Sequence, residues 1–219
     1  MNLRSIHDLK GPAGRLEALL NEGQADAPFA VLVCHPHPLF GGTMHNKVVY
    51  HAMKTFQAFG LPVLRFNFRG AGLSEGTHDN GRGERDDVRA ALDWLEREYR
   101  RPLLFAGFSF GSSVGLRTCC GDSRVHGMAA LGLPVSAEGR DYHYHFLGEC
   151  RQAKLFISGT QDQYGPRAAL EAVVEAAAPP AELVFVEGAD HFFAGKVDSM
   201  QRALSSWIEH HFPVKVTAQ

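Results

Sequence analysis

Three short segments, far apart in the chain, carry residue types in an order that fits acyl transfer through a serine. Gly107-Phe108-Ser109-Phe110-Gly111 reads G-x-S-x-G, directly after the apolar run PLLFA and before the helix-like SSVGLRTCC. A strand in front and a helix behind are the context in which that motif makes a nucleophile elbow. The turn is tight enough that side chains two positions either side of the serine would collide with strand or helix, hence the glycines. A serine hydroxyl is a poor nucleophile until a base takes its proton, and the base needs an orienting carboxylate. On such an architecture the order should be Ser, then Asp or Glu, then His, each just past a strand end. ISGTQDQYG supplies Asp162, four residues beyond Ser158, and VEGADHFF supplies His191 after ELVFV.

Each assignment has a competitor. Asp190 adjoins His191, but neighbouring side chains usually diverge. Glu138, after the preceding strand, is a second possible acid, and Asp162 is favoured over it. A different chemistry is suggested by VLVCHPHPLFGG (31–42), where Cys34, His35 and His37 lie close to His45 and His51 and invite a metal. Zinc needs converging side chains. A His-Pro-His run at a strand end offers no particular convergence with histidines on a following helix, so no metal is expected. No cofactor is expected either.

The elements that must position these residues are legible as apolar runs: 29–34, 62–68, 102–108, 125–133, 153–159 and 182–188. Being nearly continuous rather than alternating, most read as strands covered on both faces. Between them lie helix candidates at 45–59, 84–99, 111–120, 166–177 and 197–211. In the second of these, Val88, Ala91, Leu92 and Leu95 make one buried stripe. The pattern predicts an α/β protein: a mostly parallel sheet with helices on both faces. One domain over 1–219 is expected, with residues 2–8 and 14–20 as an edge hairpin turning near Gly11-Pro12; LEALL could equally be a short helix.

HPHPLFGGTMHNKVV (35–49), RFNFRGAGLSEG (65–76), GFSFG and GADHFF resemble the α/β-hydrolase superfamily from about Phe29 to Phe212. More narrowly they are similar to small, cap-poor bacterial hydrolases of the dienelactone hydrolase and carboxylesterase kind. The resemblance implies a Ser109–Asp162–His191 triad and an oxyanion hole built from the N–H of Phe110 and one from the loop after strand 29–34. His35-Pro36 stands where many relatives have His-Gly, which puts that second donor at His37, with Leu39 the alternative; Pro38 has no N–H. Dienelactone hydrolases proper carry a cysteine in the elbow. Ser109 departs from them, which puts their substrate in doubt and leaves acyl transfer intact.

RDYHYHFLGEC (140–150) falls where a cap would be inserted, yet about twenty residues are too few for a large helical lid. Tyr142 and Tyr144 of this segment, with Phe40 and Phe108, are candidate substrate contacts; a surface loop with a few packed rings is the competing reading. His143 and His145 alternate as an exposed edge would. Arg69 either pairs with an acid or faces substrate, and Phe192 and Phe193 are expected to pack beneath His191.

Composition sets the bounds. The 219 residues are 45% hydrophobic and 21% charged, with a net charge of −2. That balance gives no general attraction to nucleic acid or to an anionic membrane. MNLRSIHDLK lacks the apolar core of a signal peptide, no run approaches a membrane span, and the four cysteines form no CxxC pair, so a cytoplasmic protein is expected. No exposed apolar stripe identifies an interface; a homo-oligomer is possible but unsupported. The expected function is cleavage of a small ester or thioester by a serine hydrolase. Alternatives are a peptidase, amidase or C–C hydrolase on the same triad, a non-catalytic binding protein, and a metal-dependent hydrolase using the clustered histidines.

Overall fold

The structure, a computed structural model, describes residues 2–137 and 142–214. Among them, strands β1 (Leu3–Ile6), β4 (Ala18–Asn21), β5 (Ala30–Cys34), β6 (Val63–Phe66), β7 (Leu103–Phe108), β8 (Val125–Leu131), β9 (Ala153–Gly159) and β10 (Ala181–Val186) form one sheet. Its order is β1-β4-β6-β5-β7-β8-β9-β10. From β6 to β10 every pairing is parallel, while β4 meets both β1 and β6 antiparallel. The edge hairpin is therefore present, with Ala18, Leu19 and Leu20 of LEALL in a strand rather than a helix. A small ladder, β2 (Lys10–Gly11) on β3 (Gly14–Arg15), carries the turn. Ala18 and Leu20 are buried and Leu19 is not. That period of two is what one covered face of an edge strand requires.

Helices α1 (Lys47–Ala58), α2 (Gly83–Tyr99), α3 (Phe110–Cys119), α4 (Arg167–Glu175) and α5 (Val197–His211) sit at the predicted places. The central strands are buried on both faces and divide their side chains between two cores. Ala30, Leu32 and Cys34 of β5 join Val88, Leu92 and Leu95 of α2 in one core. Val31 and Val33 join Val48 and Phe56 of α1 and Trp207 of α5 in the other. The same parity sends Leu103 and Phe105 of β7 to the first core and Leu104, Ala106 and Phe108 to the second. Among the described residues no helix is long and apolar enough to cross a membrane.

Candidate active site

Parallel strands place their C-terminal ends along one edge of the sheet, and β7, β9 and β10 deliver Ser109, Asp162 and His191 there. Ser109 turns the chain from β7 into α3 at φ 54°, ψ −119°. A positive φ in a side-chain-bearing residue costs about 1–3 kcal/mol and persists only where the surroundings enforce it. Here they do: the Ser109 N–H donates to the Leu131 carbonyl at 2.9 Å, while the Ser109 carbonyl accepts from Ser112 Oγ at 2.6 Å and from two helix N–H groups. A Cβ on Gly107 would stand 2.6 Å from the Gly111 carbonyl oxygen, and one on Gly111 would overlap the His35 carbonyl oxygen. The glycines either side of Ser109 are thus required by close packing, as the motif predicts.

From this tip a chain of hydrogen bonds runs inward. Ser109 Oγ lies 3.0 Å from His191 Nε2, and His191 Nδ1 lies 2.9 Å from Asp162 Oδ2. The carboxylate is held on every side. Ser158 Oγ donates to Oδ2 at 3.2 Å and the Tyr164 N–H donates to Oδ1 at 2.9 Å. Asp162 and His191 are buried, whereas Ser109 is partly exposed. Asp190 turns away, its Oδ1 accepting from the N–H groups of Phe192 and Ala194. Glu138, the other acid considered, lies outside the described residues.

The sequence profile of the alpha/beta hydrolase domain family matches residues 30–212, which span every element just described from β5 to α5. The chain belongs to this family. It is 34% identical to an alpha-beta serine hydrolase homologue from Coxiella burnetii, over 94% of this chain and 96% of that one, with a TM-score of 0.83. A lid-free a/b serine hydrolase from Xanthomonas campestris is 30% identical over 98% of this chain and 97% of that one, with a TM-score of 0.85. An uncharacterized protein of Rickettsia prowazekii is 34% identical over 206 residues, 90% of this chain and 86% of that protein.

In this alpha/beta hydrolase a pocket of ≈300 Å³ opens over Ser109 and His191. Phe40 and Tyr142 line it as expected. Phe108 and Tyr144 do not. Phe108 belongs to the strand parity that faces α1 and α5, fully buried with its ring 5.0 Å from that of His191. Tyr144 is drawn into the opposite core by its own polar end, which donates to the Pro134 carbonyl at 2.6 Å. Phe193 packs inside as expected, but Phe192 is 53% exposed and forms part of the pocket wall. Tyr164 was not singled out from the sequence, yet its ring stands 4.7 Å from that of His191. Its position two residues after Asp162 was the available signal. Between β8 and β9 the described residues hold only a short 3₁₀ turn, His145–Glu149, in the place of a cap.

The loop after β5 is braced by its histidines. His35 Nε2 accepts the Phe68 N–H at 2.9 Å and Nδ1 donates to the Pro36 carbonyl at 2.6 Å, which assigns the proton to Nδ1. His37 Nδ1 accepts the Leu39 N–H at 3.2 Å and so caps the turn Pro38–Phe40. Gly41, at φ 74°, then leads the chain away. Among the described residues no three His, Cys, Asp or Glu side chains group as a metal site would. Arg69 pairs with buried Asp87 rather than facing the pocket.

Burial pushes the His35 imidazole down from 6.5 to about 4, against the Pro36 hydrogen bond, which raises it. Below pH 6.5 the unfolded chain takes up a proton that the folded state refuses until about pH 4, so stability is lost as pH falls through that window. The loss attributable to His35 is about 2 kcal/mol at pH 4.5. Urea titrations of wild type and His35→Gln at pH 7 and 4.5 measure it. The gap between the two proteins should shrink by that amount at the lower pH, and equal pH slopes would refute the assignment.

Proposed function

We propose that this hydrolase cleaves small esters or thioesters by a Ser-His-Asp acyl-enzyme mechanism. The observation that carries the reading is the unbroken hydrogen-bonded chain from Ser109 Oγ through His191 to Asp162, ending at a strained elbow beneath an apolar pocket. Ser109 Oγ attacks the carbonyl carbon as its proton passes to His191 Nε2, and Asp162 holds the proton on Nδ1. The oxyanion that forms is stabilised by main-chain N–H groups. Phe110 opens α3, where first-turn N–H groups have no partner inside the helix. The Leu39 N–H is directed to His37 Nδ1, which favours His37 over Leu39 as the second donor. His191 returns the proton to the leaving oxygen or sulfur; water, deprotonated by the same nitrogen, then releases the acid.

The similarity to serine hydrolases from Coxiella and Xanthomonas, the latter described as lid-free, supports the same reading. A pocket of ≈300 Å³ is at the small end for ligand sites and suits a small acyl or alcohol group. Four unpaired cysteines fit a reducing compartment, the cytoplasm. A fluorophosphonate probe provides the test. Mass spectrometry is expected to find the adduct on Ser109 of the wild type and none on Ser109→Ala. Unlabelled wild type beside a labelled control hydrolase would reject the mechanism, and loss of turnover with a chelator would direct attention to a metal. Parallel assays with p-nitrophenyl esters and acyl-CoAs then separate esterase from thioesterase.

A further inference from the structure

Beside the apolar pocket lies a second, larger concavity of ≈740 Å³, bounded by the first turn of α2 and the outer face of α3. His37 and Tyr142 line both, so the two are contiguous. Their chemistry differs sharply. The walls of the second carry Arg82, Arg85 and Arg117 and no carboxylate among the described residues. None of these arginines is in an ion pair among the described residues, whereas Arg124 engages Asp93, Glu96 and Asp122. Acids near the α2 start are otherwise occupied. Glu84 is buried and accepts the N–H groups of Asp79 and Gly81, Asp79 accepts that of Gly83, and Asp86 pairs with Arg89. Arg117 is aimed by its bond to the His143 carbonyl at 2.8 Å and by the Phe146 ring beneath it.

We infer that this basic groove binds a negatively charged group on the acyl side of the substrate, making the preferred substrate an ester or thioester of an acid that carries a second, distal carboxylate or phosphate. The inference rests on the hydrolase reading above. The side follows from proton transfer. His191 must reach the leaving atom, and His191, Tyr164 and Phe192 line only the apolar pocket. Of the proposed oxyanion donors, Phe110 borders the groove and His37 borders both concavities. The acyl substituent pointing away from His191 therefore runs over His37 and Tyr142 toward the arginines. Guanidinium groups suit this role because they present several donors to one carboxylate or phosphate.

The experiment compares mono-4-nitrophenyl suberate with 4-nitrophenyl octanoate, which share a leaving group and an acyl length. At low ionic strength the ratio of their kcat/KM values is expected to fall about tenfold in Arg82→Gln/Arg85→Gln/Arg117→Gln, chiefly through KM. In the wild type the same ratio should fall with added salt. A ratio unchanged by the substitutions overturns the inference. So does a selective loss on 4-acetoxybenzoate relative to phenyl acetate, because that puts the anion on the leaving group. Calorimetric titration of Ser109→Ala with suberate tests the groove without turnover. Binding that depends on the three arginines supports it, and binding indifferent to them rejects it. If no ester is turned over while that binding is found, the hydrolase reading fails and the anion site stands.

Discussion

Asp162→Asn is expected to lower kcat toward p-nitrophenyl esters by about 10⁴-fold while the protein stays folded. The substitution is nearly isosteric and keeps an oxygen for the Tyr164 N–H, now 2.9 Å from Oδ1. What it changes is the proton on the imidazole. An amide facing His191 Nδ1 presents N–H and turns that nitrogen into an acceptor, which moves the ring proton to Nε2. Nε2, 3.0 Å from Ser109 Oγ, then holds a proton already and cannot accept another. Residual activity would come from the oxyanion donors and substrate positioning alone. Circular dichroism checks the fold and steady-state kinetics the rate. Activity within a few-fold of wild type would show that another acid, Glu138 first, orients His191.

The central strands were readable because burial on both faces favours apolar residues throughout, so β5 to β9 stand out as apolar runs despite buried Arg65 in β6 and Lys154 and Ser158 in β9. The order Ser109, Asp162, His191 was readable because each follows such a run. Strand parity was less accessible. Phe108 precedes Ser109 directly, and only the register of β7 shows that it faces α1 and α5. For Tyr144 the sequence leaves a pocket contact and a packed ring both open, and the partner that decides for the packed ring, the Pro134 carbonyl, belongs to a loop with no sequence pattern. The hairpin was recoverable in outline, but the break of residues 14–20 into β3 and β4 depends on pairing with β6. Of the groove arginines, Arg82 and Arg85 flank the start of α2 and Arg117 lies on α3, 32 positions beyond Arg85, and no motif joins them. Charge at a site is legible from sequence when a motif gathers it and hidden when tertiary packing does.

Arg69→Met is expected to destabilise the protein by about 3–5 kcal/mol at pH 7. In the rim loop after β6, Arg69 Nη2 donates to Asp87 Oδ1 at 2.7 Å, Nε to Oδ2 at 3.0 Å, and the Arg69 N–H to Oδ2 at 3.0 Å. The Asp87 side chain is 0% exposed. Burial already raises its carboxyl above the ordinary 3.8, even with the guanidinium drawing it down. Without Arg69 the carboxyl must remain protonated in the fold while the unfolded chain releases its proton above about pH 4. The unfolded state then binds fewer protons, so the variant's stability falls as pH rises. Urea midpoints should therefore diverge from wild type between pH 4 and 7. The double substitution Arg69→Met/Asp87→Leu, which removes both charges, should recover most of the loss. A penalty below about 1 kcal/mol that is flat with pH would mean that water reaches Asp87.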